Sequence, residues 1–253
     1  MTITTTTPPP EITSGRQATE LQDLEQVTES TSLEQLSESV ALRGASYSLL
    51  ARLYQHEVDQ ALLNELRAML FPAHTGNDDL DRGYQLLARY LSGVWENSVD
   101  ELAVDYSRIF IGYGFDAFSA AYPFESVYTS EKRLLMQDAR DEVLAIYRSA
   151  GLDKQASWKE GEDHLGVELE FQSVLCQRAS VALNKGDEDE AHALLKIQAN
   201  FLEDHLLSWV PLMTADLQRF AQTDFYRALG YITDGFLAFD REFLKEVLTG
   251  EQG

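Results

Sequence analysis

The sequence predicts an all-α protein, a single helical-bundle domain of about eight to ten helices behind a disordered acidic tail. Three observations carry this expectation. From residue 40 onward apolar side chains recur at steps of three and four, whereas the strict alternation of a strand is scarce. Turn and cap signals, among them Pro72, Gly151, Asp187 and Pro211, divide that pattern into helix-length pieces. No repeat of fixed period and no interdomain linker interrupts it, so the body is expected to be one domain over residues 39–250.

The elements follow in chain order. Residues 1–38 are rich in Thr, Ser, Pro, Gln and Glu, with Arg16 as the only base against seven acids. So few large apolar groups cannot offset the entropy of ordering, which predicts a disordered tail with at most a transient helix around residues 33–39. Val40, Tyr47, Leu50 and Tyr54 mark a first helix, and Leu62, Leu66, Met69 and Leu70 a second that Phe71 and Pro72 stop. Leu80, Tyr84, Leu87, Leu91 and Val94 form a third stripe, and residues 102–110 a fourth. Gly112 and Gly114 then open a loop through Pro123. Ser130 or a neighbour is expected to cap a helix ending at Ala150 and Gly151. After a polar connection, Asp163 is read as the N-cap of a helix to Leu183 that is apolar around most of its circumference and therefore central. Asp187 starts the next helix, Pro211 starts or bends another, and residues 224–248 form the last.

Charge narrows the function classes. With 20 Lys plus Arg against 42 Asp plus Glu, the formal charge is −22. Such a surface repels phosphate and anionic lipid, which argues against a nucleic-acid partner and favours a cationic one. The chain start lacks the basic flank and apolar run of a secretory signal, and no segment is apolar enough to span a bilayer. Adjacent arginines are absent. A cytoplasmic location without membrane insertion is expected. Cys176 is the only cysteine, so no intrachain disulfide can form, and its helical spacing with Leu165, Leu169, Ala179 and Leu183 reads as core packing.

Catalytic and cofactor motifs are scarce. A carboxylate-bridged metal pair needs Glu-x-x-His on two helices. The nearest substitute is Asp189 with His192, and no His-Glu-x-x-His occurs. Neither glycine-rich phosphate loop is present, which leaves only weak nucleotide binding at an irregular site. No catalytic residue, metal site or resident cofactor is therefore assigned. Two segments concentrate polar and aromatic chemistry: Ala121-Tyr122-Pro123-Phe124-Glu125-Ser126-Val127-Tyr128, and Glu162-Asp163-His164-Leu165-Gly166-Val167-Glu168-Leu169-Glu170-Phe171. In the second, His164 and Glu168 share a helical face and are expected to hydrogen-bond. Five acids against one lysine over residues 159–170 suit a guanidinium, which pairs with carboxylates and stacks on aromatic faces. The bland alternative makes Asp163 a helix cap, His164 a satisfied histidine and Tyr122 with Phe124 core aromatics.

The same segments resemble a known family. Tyr122-Pro123-Phe124-Glu125-Ser126-Val127-Tyr128 resembles the aromatic-Pro-aromatic-x-Ser-Val-Tyr loop of the TorD/DmsD/NarJ maturation chaperones. Glu162-Asp163-His164 with Glu168-Leu169 resembles their Pro-Asp-His signature followed by Glu-Leu. Phe201, His205-Leu206, Trp209, Pro211 and Phe225-Tyr226 are similar to their C-terminal pattern. The resemblance runs from about residue 42 to residue 248 and implies an all-helical, non-enzymatic cytoplasmic chaperone, monomeric or homodimeric. It implies as partner the catalytic subunit of a molybdenum-containing oxidoreductase that carries molybdopterin guanine dinucleotide. Binding its twin-arginine signal peptide, or its apo form, would assist cofactor insertion and delay export. The implied recognition residues are Tyr122, Pro123, Phe124, Glu125, Ser126, Tyr128, Asp163 and His164. Glu168 is added here from its spacing to His164.

The expected arrangement is a groove formed by residues 111–125 and the start of the Asp163 helix. In it the client's arginines pair with Asp163, Glu125 and Glu168, and protonation of His164 near its ordinary pKa of ~6.5 alters binding. Two departures from the family pattern stand out. Gly161-Glu162 replaces the proline before Asp-His, which predicts a looser approach to Asp163, and Phe124-Glu125 replaces a Trp-Gly seen in some members. The alternatives are a small metal-dependent helical enzyme using His164, Glu168 and Asp163, or an assembly factor that binds only the mature enzyme body.

Overall fold

In the computed structural model, residues 14–112, 120–130, 134–135, 137–154 and 158–250 are described, with side chains from residue 33 onward. The chain runs through α1 (Ser14–Gln55), α2 (Gln60–Ala68), α3 (Asp78–Ser92) and α4 (Ser98–Tyr106), which continues into a π-helical turn, Ser107–Gly112. Then come α5 (Glu125–Thr129), α6 (Asp138–Ser149), α7 (Leu165–Asn184) and α8 (Glu188–Phe201). A second π turn, Leu202–Leu206, joins α8 to α9 (Leu207–Phe220), and α10 (Asp224–Thr249) follows. Among the described residues the only β pairing is a single antiparallel bridge between Phe124 and His164. The helical fold class holds.

Local chemistry sets the helix ends. Asp59 accepts from the Leu62 amide at 2.8 Å, Asn77 from Asp79 and Leu80 at 3.0 Å, and Asp187 from Glu190 at 3.2 Å. Each cap satisfies an amide that the helix itself leaves unpaired. Gly250 closes α10 at φ 67°, a left-handed conformation that a side chain disfavours.

The expected central helix is α7. Leu165, Leu169, Leu175, Cys176 and Ala179 are fully buried in it, each apolar side chain of leucine size contributing about 1.5–3 kcal/mol. Helix α1 lies against α7, and two glycines permit the approach. A Cβ on Gly44 would sit 3.0 Å from Cys176 Cβ, and one on Gly166 would sit 2.4 Å from Gln55 Cγ and 3.2 Å from the Ala51 carbonyl. Helices α8 and α10 complete the core, and α3 covers α10. Buried polar ties fix their register. Arg43 grips Asp240 through two bonds, one of them 2.9 Å, and Tyr47 donates to the same carboxylate at 2.7 Å. Tyr54 and Thr233 share a 2.8 Å bond.

The structure moves several boundaries. Of the expected tail, residues 1–13 lie outside the described residues, and the backbone is helical from Ser14. Leu33 and Leu36 already pack on the core, and buried Ser37 meets the Ser180 hydroxyl at 2.9 Å, so the packed body begins before residue 39. Ser130 does not start the helix to Ala150: it ends the short α5, and α6 begins only at Asp138. Pro211 does not start a helix but lies inside α9, one turn after the π segment.

Candidate functional site

The three chemistry-bearing segments meet in one buried joint. The Phe124–His164 bridge is closed by the Glu125 amide donating to the Asp163 carbonyl at 3.0 Å and the Leu165 amide donating to the Pro123 carbonyl at 2.8 Å. These bonds dock the loop onto the N-terminus of α7. The Asp163 carboxylate, fully buried, reaches across to the start of α5, where it accepts from the Ser126 amide at 3.1 Å and from the Ser126 hydroxyl. The same hydroxyl accepts from the Gln137 amide at 3.2 Å, tying in the start of α6. Asp163 is thus a cap, but of α5. With its side chain turned away, His164 becomes the N-cap of α7, its Nδ1 accepting from the Gly166 amide at 3.0 Å.

Gly161 makes room for this turn: a Cβ there would lie 2.6 Å from Asp163 Oδ1. The approach to Asp163 was expected to be loose for want of a proline. Instead Glu162 is pinned, its carboxylate paired with Arg140 and, at 3.1 Å, with Lys154, while Tyr147 donates to its carbonyl at 3.1 Å. Burial alone would raise the Glu162 carboxyl, yet the hydrogen bonds from Arg140 and Lys154 outweigh it and hold the group down at about 2.

The third segment supplies the partners of the remaining acids. His205, on the π turn, faces Glu125 at 3.1 Å and stacks on Phe201 with ring centroids 4.9 Å apart. Trp209 donates its indole N–H to Glu168 at 3.2 Å and stacks on Tyr128 at 5.7 Å. Glu125 is 3% exposed and Glu168 and Asp163 are 0% exposed. Burial, with the charges of Glu125 and Asp163 added, pushes the Glu168 carboxyl well above the usual carboxylate range. Its Oε1 has no hydrogen-bond partner among the described residues, which suits a protonated carboxyl better than a buried carboxylate.

The expected hydrogen bond from His164 to Glu168 is not made, because the imidazole caps α7 and the carboxyl turns to Trp209. Nor does His164 retain its ordinary titration. Burial, helped by the charge of His56, pushes it down to about 3. Of the other expected residues, Pro123 and Phe124 are buried in the joint, Phe124 edge-on to the His164 ring at 5.0 Å. Tyr122 and Tyr128 remain half-buried at its rim, and Tyr122 closes on Gly112. Residues 113–119 of the expected groove lie outside the described residues. His205 and Trp209 were absent from the expected site, although the C-terminal pattern contained both.

Among the described residues, no group of three or more His, Cys, Asp and Glu is arranged to hold a metal ion, and no helix is long and apolar enough to cross a membrane.

Comparison with known proteins covers the same segments. The family model described as nitrate reductase delta subunit matches residues 77–215, more than half of the chain and all of the joint. A chaperone protein TorD of Psychrobacter sp. (strain PRwf-1) is 27% identical over 219 residues, covering 82% of this chain and 93% of that protein. The protein of the same name from Shewanella pealeana is 26% identical over 218 residues, covering 80% and 89%. That from Photobacterium profundum is 29% identical over 149 residues, covering 59% of this chain and 66% of its own length. With the family model spanning the residues that build the joint, the chain belongs to the TorD/NarJ family of maturation chaperones.

Proposed function

We propose that this chain is a cytoplasmic chaperone for a molybdopterin-dependent oxidoreductase, binding the client's twin-arginine signal peptide and its apo form so that cofactor insertion precedes export. One observation carries the reading. Segments 122–128, 162–169 and 201–209, far apart in sequence, are locked into a single joint whose rim presents Tyr122 and Tyr128. Each of the joint's His164, Asp163 and Glu168 side chains is engaged within it. His164 caps a helix, Asp163 caps another and Glu168 is engaged by Trp209, so the three side chains that a metal-dependent enzyme would need are committed to structure. A rigid, rimmed platform suits recognition of a chain segment. The relatives bearing the name chaperone protein TorD support the same reading.

The test is capture with the tagged full chain from cells accumulating cofactor-free molybdoenzyme, followed by mass spectrometry. Recovery of a molybdopterin-dependent subunit in its cofactor-free form is the expected result. Recovery of the cofactor-loaded form alone would reject the reading. Recovery undiminished by deletion of the client's signal peptide would shift it to an assembly factor acting on the enzyme body.

A further inference from the structure

The platform's carboxylates cannot themselves receive an incoming arginine, since Glu125, Asp163 and Glu168 are at most 3% exposed. Immediately beside them is a cavity of about 490 Å³ that shares walls with the joint. Tyr147, which donates to the Glu162 carbonyl, and Phe171 form its floor. Trp158 lines it, lying edge-on to His164 at 5.2 Å and to His56 at 6.1 Å. Gln55 reaches in from α1, its amide donating to the Gly166 carbonyl at 3.0 Å and to Glu170 Oε2 at 3.1 Å.

The charges of this cavity are unevenly satisfied. Lys154 is occupied, its ammonium 3.1 Å from Glu162 and 2.6 Å from the Glu160 carbonyl. Asp153 has a distant partner, Arg148, at 3.7 Å. Glu170 is exposed and accepts from the neutral amide of Gln55, which orients the carboxylate without neutralising it. Among the described residues no cation pairs with Glu170, and an oriented carboxylate in a cavity lined by an indole is what a guanidinium requires, since its edge pairs with the carboxylate and its face stacks on the ring. A lysine ammonium, more strongly hydrated and without a planar face, gains less. The net charge of −22 adds a long-range attraction for such a ligand.

We propose that the cavity between Trp158 and Glu170 is the guanidinium subsite of this chain, receiving one arginine of the client peptide. The assignment rests on the chaperone reading above and moves arginine recognition from the buried joint to its neighbour. The joint then acts as the frame that fixes the α7 N-terminus, and with it Glu170, against Trp158.

The test is titration of the full chain with a short labelled twin-arginine peptide and with its twin-lysine counterpart. The wild type is expected to favour the arginine peptide by about fivefold or more. Glu170→Gln, at an exposed position where folding is not at stake, is expected to weaken that peptide about tenfold. Trp158→Ala should remove the preference for arginine over lysine, and Trp158→Phe should keep part of it. Wild-type binding that both Glu170→Gln and Trp158→Ala leave unchanged overturns the subsite while the chaperone reading stands. A wild type that binds neither peptide overturns the signal-peptide reading and the subsite together.

Discussion

Glu168→Gln is expected to stabilise the protein at neutral pH and to flatten its pH dependence. Glu168 is fully buried, has Glu125 and Asp163 as charged neighbours, and receives one neutral hydrogen bond from Trp209. Its pKa lies well above the ordinary 4.5. Above pH 4.5 the unfolded chain therefore releases a proton that the folded chain keeps, and stability falls as pH rises toward the folded-state pKa. For one retained proton the slope approaches about 1.4 kcal/mol per pH unit between the unfolded-state and folded-state pKa values. Glutamine keeps the shape, lets the amide donate toward Glu125, and leaves an oxygen to accept from Trp209. Urea denaturation of both proteins at a series of pH values above 4.5 measures the difference in slope directly. Curves that run parallel would show that Glu168 carries no retained proton, and the electrostatic account of the joint would fall with it.

Three further outcomes follow from the same geometry. His164→Asn keeps an N-cap acceptor for Gly166 and should remove the acid lability that His164 contributes. Because the folded imidazole is depressed to about 3, the wild type loses stability as pH falls below about 6.5, and NMR should find one ring that does not titrate between about pH 5 and about pH 8. Asp163→Ala strips the cap from α5 and should cost about 2–3 kcal/mol, with Asp163→Asn recovering part of it, read by thermal unfolding. Gly166→Ala drives a methyl group against Gln55 and the Ala51 carbonyl, so a loss of about 1–3 kcal/mol is expected in the same assay; an unchanged melting temperature would show that α1 and α7 can separate freely.

What could be read from sequence was what local periodicity encodes. The apolar stripes of α2, α3, α7 and α10 are three- and four-step patterns, and their helices appear where those patterns run. Helix α5 was invisible because it is five residues long and its cap, Asp163, stands 37 positions away. The same distance misled the reading of α7: Asp163 and His164 can each cap, and only the bridge to Phe124 determines which side chain faces α7. The residues of the site were recognisable through their resemblance to a family, but their burial was not. Glu125 meets His205 across 80 positions and Glu168 meets Trp209 across 41, pairings that no periodicity contains. Residues 33–38 depart from the expected tail, since Leu33, Leu36 and Ser37 anchor the last turns before the body to the core.

The long-range construction of the joint bears on the order of folding. The helices can nucleate from near neighbours, whereas the joint closes only when segments separated by 37, 41 and 80 positions have already been brought together. Its bonds therefore form after the local helices but span less chain than the ties of α1 to α10, where Arg43 meets Asp240 across 197 positions. The placing of Tyr122 and Tyr128 is thereby set by tertiary contacts and by no single helix, so a fragment that keeps every helix but lacks one of the three segments would lose the rim.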